Sequence, residues 1–234
     1  MKNLIKKVES NKFLMDGIKE RGYIGEKLKL DNRYIFSKEI NAELSLSLLF
    51  SPWIENSLRV SIMINSIAVT RYFHELGLYL DLPEPESDRP TGVISVELLW
   101  LRWNQEPSQA KNYETDYVIG TERGTQRVFE DLDSVGQDYY SAISTPQALA
   151  EHLNNINHYP CRIKSGGKPV SNNPYIYAAI LFLCANDAQQ AQKALDEGWR
   201  EYDVPSPRAY WQEVRREEFQ ARKQLLLQRI DQIS

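Results

Sequence analysis

The sequence predicts an α+β fold: an N-terminal helix and an antiparallel β-meander with packed helices, followed by an all-helical C-terminal half. Three observations predict it. Two neighbouring runs alternate with period two, Leu44-Leu46-Leu48-Phe50 and Leu58-Val60-Ile62-Ile64, which is the pattern of antiparallel strands with one apolar face. Three times in the second half a capping residue is followed at once by proline: Thr145-Pro146, Asn173-Pro174 and Ser206-Pro207. Ser, Thr and Asn side chains accept from the free N–H groups of a helix's first turn. Proline has no N–H to leave unpaired there, and its fixed φ suits the first helical position. Finally, 234 residues at 42% hydrophobic are enough to bury a full core.

The elements follow in order. From the start to Arg21, Leu4, Val8, Met15 and Ile18 recur at helical spacing, and Gly22 suits a C-cap. Asn11 and Gly17 weaken this helix. Leu28 and Leu30 alternate with lysines, Asp31-Asn32 makes a turn, and Tyr34-Ile35-Phe36 resumes the strand pattern. The strand Glu43–Phe50 turns Ser45 and Ser47 outward, and after a loop from Ser51-Pro52 to Ser57 the next strand turns Arg59, Ser61 and Asn65 outward. Val69–Leu80 predicts a short helix carrying Phe73, Leu76 and Leu80. Asp81–Pro90, with three prolines and four acids, is an exposed loop. Val93–Trp103 is apolar on both faces, which predicts a central strand covered on both sides.

Gln105–Gly120 is polar and undefined. Glu122–Ala142 predicts a helix through Val128, Leu132, Val135 and Tyr139, weakened by Gly124 and Gly136. Pro146–Asn154 follows, then a Gly/Ser/Pro/Asn loop over Lys164–Asn172. Pro174–Ala185 is nearly all apolar, so it predicts a buried helix. Asp187 with Gln190 forms a capping-box variant opening a helix to Trp199, which makes an αα-hairpin. Pro207–Ile233 is a long charged helix whose apolar positions Val214, Phe219, Leu226, Ile230 and Ile233 form a thin stripe. That stripe rests either on the body of the chain or on a second copy. The divisions are residues 1–110 (helix plus sheet), 111–205 (helical region packed on the sheet) and 206–234 (long terminal helix).

Composition narrows the class. Between Asp81 and Tyr140 there are 13 Asp/Glu and 5 Lys/Arg, a local net of −8 in a chain of net −4. An acidic centre with basic flanks argues against nucleic acid and suits a basic protein partner. The two cysteines, Cys161 and Cys184, are no disulfide framework. The N-terminal Met1–Lys7 has no apolar run long enough for a signal peptide, and the most apolar stretch, Tyr175–Ala185, is about half the roughly 20 residues a membrane helix needs, so the expected location is the cytoplasm.

No catalytic constellation emerges. His152, His158 and Cys161 match no zinc spacing, and a Cys–His nucleophile needs the pair in contact. Ser165-Gly166-Gly167-Lys168 has the composition of a phosphate loop without its strand, its spacing or its following helix. No metal and no cofactor is expected. The acids are abundant, and four tyrosines, Tyr113, Tyr117, Tyr139 and Tyr140, lie among or beside them. Tyrosine is enriched at interface hot spots. The candidate partner-binding residues are therefore Tyr113, Glu114, Asp116, Tyr117, Glu130, Asp131, Asp133, Asp138 and Tyr140.

Phe129-Glu130-Asp131-Leu132, Asp138-Tyr139-Tyr140 and Ile143-Ser144-Thr145-Pro146-Gln147-Ala148-Leu149 carry a resemblance. So do Ala178-Ala179-Ile180-Leu181 with Asp187–Leu195, and Tyr34–Ile67. Together they resemble a family of small bacterial proteins of unknown function that are similar to the immunity proteins of toxin systems. The resemblance stops before Ser206-Pro207. It implies a helix and antiparallel sheet followed by a helical hairpin, and a non-enzymatic protein that binds and neutralises a cognate toxin. Two other readings stand beside it: a hydrolase using the acids or the His158/Cys161 pair, and an assembly protein forming a homodimer through residues 207–233.

Overall fold

The computed structural model describes residues 8, 11–28, 33–52, 58–80, 90–105, 117–118, 121–156, 169–202 and 209–233. By internal contacts the chain forms two compact units, interleaved along the sequence. The first draws on Met1–Ile64, Ile94–Ala142 and Tyr159–Val170, the second on Asn65–Val93, Ile143–His158 and Ser171–Ser234. The fold class is α+β, with a strand-rich N-terminal half and a helical C-terminal half.

In the first unit, α1 (Lys12–Glu20) starts at Asn11. From sequence Asn11 counts against the helix; in place it begins it, its Oδ1 accepting from the Leu14 N–H at 3.1 Å. Gly22, at φ +79°, ends the turn that follows. The other weakener, Gly17, is buried against the Phe129 ring, leaving no room for a Cβ.

The strands β1 (Ile24–Leu28), β2 (Arg33–Glu39), β3 (Leu44–Pro52), β4 (Leu58–Ser66) and β5 (Thr91–Glu97) form one sheet in sequence order. β1–β2 and β2–β3 are antiparallel, with Ile24 opposite Ser37 and Ile35 opposite Leu49. Every residue of the two period-two runs is buried. The face expected to be wet is partly covered. Ser47, Ser61 and Asn65 are buried, and the Ser47 hydroxyl bonds that of Ser37 at 2.7 Å. A polar atom that has a partner can be covered without loss, so alternation identifies the apolar face and leaves open whether the other is bare.

Val93–Trp103 requires a correction. The strand stops at Glu97, and α3 (Leu98–Gln105) begins at the next residue, with Leu98 through Trp103 buried. A run apolar all round fits a buried helix as well as a buried strand. β5 also stands at the end of the strand order rather than in the middle. There Val170 exchanges backbone hydrogen bonds with Ser95 at 2.8 and 2.9 Å, which covers part of an edge that would otherwise be open.

The helix over Glu122–Ala142 is one rod in three pieces: α4 (Glu122–Asp131), a π-turn (Leu132–Gly136) and α5 (Gln137–Ala142). Thr121 caps it, accepting from the Gly124 N–H at 3.1 Å. In the π-turn the Ser134 hydroxyl donates to the Glu130 carbonyl at 2.6 Å. Gly136 lets the rod approach the core, since a Cβ there would meet Ile62 and Leu98 at 3.2 Å.

In the second unit, α2 (Ile67–Glu75) is capped by Ser66, so it starts before Val69 and ends before Leu80. Gly77 and Leu80, at φ +63° and +57°, turn the chain after it. Thr145 caps α6 (Pro146–Asn154), accepting from the Ala148 N–H at 3.2 Å. Asn173 stands at the head of α7 (Pro174–Cys184) but makes no side-chain cap; its side chain bonds Tyr177 instead. The pair predicts the helix start correctly and the capping bond wrongly. α8 (Ala188–Tyr202) opens on Asp187, which accepts from the Gln190 N–H at 3.0 Å.

Ser206-Pro207, the Asp31-Asn32 turn and the Asp81–Arg89 stretch lie outside the described residues. The last helix is described as α9 (Ala209–Ile233). Its Phe219, Leu226 and Ile230 are buried, and it packs on α8 and α7. The stripe is thus largely covered by the chain's own helices, and Ile233 remains 49% exposed. Arg222 ties α9 down: buried over the Phe73 ring, it donates Nε to the Leu78 carbonyl at 2.9 Å.

Candidate protein-binding surface

Of the nine residues expected to meet a partner, Tyr113, Glu114 and Asp116 lie outside the described residues. The other six fall on or beside the helix Glu122–Ala142 and separate into two sets. Tyr117 and Asp131 are buried, at 2% and 6% exposure, and present nothing to a partner. Asp131 Oδ2 accepts from Arg102 Nη1 at 3.0 Å and from the Tyr117 hydroxyl at 2.5 Å. The Tyr117 carbonyl accepts from the Leu58 N–H at 3.0 Å. A buried carboxylate needs both an opposite charge and hydrogen bonds, and Asp131 has both. The placement of these two as interface residues is corrected to an internal one.

Glu130, Asp133 and Asp138 are exposed along one side of the same helix, and Tyr140 is half-buried at its end. Their surroundings come from elements far away in sequence. Arg21, just past α1, grips Asp133 with two parallel bonds, Nε to Oδ1 at 2.8 Å and Nη2 to Oδ2 at 2.5 Å. Its Nη1 donates to the Gly17 carbonyl at 2.8 Å, and its guanidinium lies 4.2 Å from the centre of the Phe129 ring. The Asp133 bond raises the Arg21 pKa against the opposing effect of burial. Phe13, 53% exposed, meets Phe129 edge-on at 5.9 Å.

Next to this fork, Lys38 of β2 places its ammonium between two rings, 4.6 Å from Tyr23 and 5.1 Å from Tyr140. Ring faces attract a cation. Burial lowers the Lys38 pKa, against the pull of Asp133. Burial also raises the pKa of both tyrosines, with Asp133 adding to it. Ile24, at the head of β1, is 81% exposed. The surface is therefore not simply acidic. Asp133 is matched by Arg21 with Lys38 nearby, whereas Glu130 and Asp138 make no ion pair among the described residues.

Arg21, Tyr23, Lys38 and Phe13 escape sequence reasoning because their neighbours are set by the packing of α1 and β2 beside the long helix. The one local signal is the run Arg21-Gly22-Tyr23-Ile24, which puts interface-prone residue types around a helix stop.

The remaining candidates stand elsewhere. His152 in α6 is held by burial at a pKa of about 4. His158, Cys161 and Ser165–Lys168 lie outside the described residues, and Cys184 is half-buried at the end of α7. Among the described residues no His, Cys, Asp and Glu groups are placed to hold a metal ion, and no helix is long and apolar enough to cross a membrane. No family model, no curated protein and no solved structure matches this chain.

Proposed function

We propose that the chain is a protein-binding protein, and that the outer side of the helix Glu122–Ala142, with Arg21, Tyr23 and Lys38, is the surface it presents. The observation that carries this reading is the two-layer cluster of Arg21 on Phe129 and Lys38 between Tyr23 and Tyr140. Arginine and tyrosine are enriched at interface hot spots, where each covers a large area and ends in a polar group. Here their geometry is fixed before any partner arrives, which lowers the ordering cost of binding. Glu130 and Asp138, which make no ion pair among the described residues, flank the cluster and would steer a basic partner. The resemblance to immunity proteins supplies the class of partner, a cognate bacterial toxin.

The test is co-expression with the product of the adjacent gene, together with a pull-down. Recovery of a complex and protection from toxicity are the expected results. No bound protein and no protection would sink the reading.

A further inference from the structure

We infer that the outer edge of β1 is a docking site for an extended segment of another protein, taken up antiparallel as one more strand of the sheet. β1 ends the strand order and pairs only with β2 among the described residues. Its register runs unbroken from Ile24 opposite Ser37 to Leu28 opposite Arg33, with no bulge to bend it away. A strand with one neighbour turns its alternate N–H and C=O groups outward, and that row is a template for a further strand. The two ends of the sheet are treated differently. At the β5 end, Val170 bonds Ser95 in both directions and occupies part of the edge. At the β1 end the head of the strand is open to solvent: Ile24 is 81% exposed, and Gly25 beside it is exposed as well.

The order of residues along the edge says what it takes. Gly25 stands opposite Phe36, whose ring atoms come within 2.5 and 2.7 Å of where a Cβ would be. β1 therefore carries no side chain there, and an aromatic residue on the incoming strand, opposite Gly25, would cover the glycine. Glu26 and Lys27 follow as unlike charges in adjacent positions. Charges directly opposite one another across an antiparallel pair stabilise it when unlike and destabilise it when alike. The incoming segment is therefore one with a basic residue opposite Glu26 and an acidic residue opposite Lys27. A second copy of the chain does not fit. A twofold antiparallel pairing that uses all five residues of β1 sets Glu26 against its own copy. Backbone hydrogen bonds supply the affinity, and the order of charges selects the partner.

The probe is a labelled peptide, threonine-valine-glutamate-lysine-phenylalanine-valine-threonine, followed by fluorescence anisotropy on the full chain. Read antiparallel, it places glutamate opposite Lys27, lysine opposite Glu26 and phenylalanine opposite Gly25. Saturable binding is expected. Exchanging its glutamate and lysine sets like charges opposite both residues and should weaken binding about tenfold. In the Glu26→Lys, Lys27→Glu variant that preference should reverse, which places the peptide on β1. Backbone pairing has its own signature, because a strand's N–H groups face a given neighbour only at alternate residues. N-methylation of one alternate set of peptide amides should abolish binding, and methylation of the other set should change it less than about twofold. Four results would overturn the proposal: no saturation with the folded wild type, equal binding of the charge-exchanged peptide, an unreversed preference in the folded variant, or equal effects of the two methylation patterns. None of them concerns the helix Glu122–Ala142, so this reading and the proposed function fail separately.

Discussion

Asp131 and Asp133 are two residues apart on one helix, and they live in different media. Asp131 faces inward, and it and Arg102 are each 8% exposed at the side chain. Asp133 faces outward, and its side chain is 55% exposed beside an Arg21 that is 27% exposed. Both carboxylates accept from an arginine at hydrogen-bond distance. What differs is the solvent. An exposed pair gains little, because water screens it and the long side chains lose freedom. A buried pair is held tightly because removing one partner strands the other in a poor solvent for charge. Helical phase, not residue type, separates the internal strut from the candidate interface.

The sharpest way to break this comparison is to remove each acid in turn. Asp131→Ala should cost about 3–5 kcal/mol, because it removes the buried carboxylate to which both Arg102 and the Tyr117 hydroxyl donate. Asp133→Ala should cost no more than about 1 kcal/mol. Denaturant melts of the two variants decide it, and equal losses would refute the inside–outside division.

Acid provides the next largest effect, through a histidine whose charged form is disfavoured by burial. His152 falls from the ordinary 6.5 to about 4 on folding because burial disfavours its charged form. The unfolded chain therefore takes up the proton first. His152's contribution is complete above pH 6.5 and is lost as the pH falls toward 4, by an amount on the order of 3 kcal/mol. Urea midpoints from pH 7.5 to 4.5 should fall, and His152→Gln should flatten that part of the decline. An unchanged slope in the variant would mean that other groups set it.

Gly17→Ala tests the support beneath the outer fork. The new methyl would press on Phe129, and overpacking of this kind costs about 1–3 kcal/mol. It should also loosen Arg21, which rests on that ring. A variant as stable as wild type would show that Phe129 moves aside freely. The smallest effects compare two helix starts. Thr145→Ala should cost about 1 kcal/mol, and Asn173→Ala less, because only Thr145 caps with its side chain. Thermal melts that reverse this order would overturn the assignment.

Much of the fold is legible in the sequence because its signals are local. The period of Leu44–Ile64, the proline after Thr145 and the acceptor at Asp187 each act within a few residues. Where legibility fails, the cause is tertiary. Leu98–Trp103 is apolar on every side, so periodicity cannot tell a strand from a helix. Asn11 reads as a helix breaker until its place at the first turn is known. The candidate surface was half visible. Glu130, Asp133, Asp138 and Tyr140 could be picked from an acidic, tyrosine-bearing segment, and they lie at or near the surface. A sum of charge along the chain could not show that Asp131 turns inward, or that Arg21 and Lys38 arrive from α1 and β2 to stand among the acids.

The central claim is that Tyr140 and its flanking acids face a protein partner. The most direct test is the affinity of the Glu130→Lys, Asp138→Lys, Tyr140→Ala variant for the adjacent gene's product, measured by calorimetry beside wild type. A hot-spot residue contributes at least about 2 kcal/mol, so the account predicts a loss of at least about 30-fold with the melting temperature preserved. A well-folded variant that binds as tightly as wild type would contradict it.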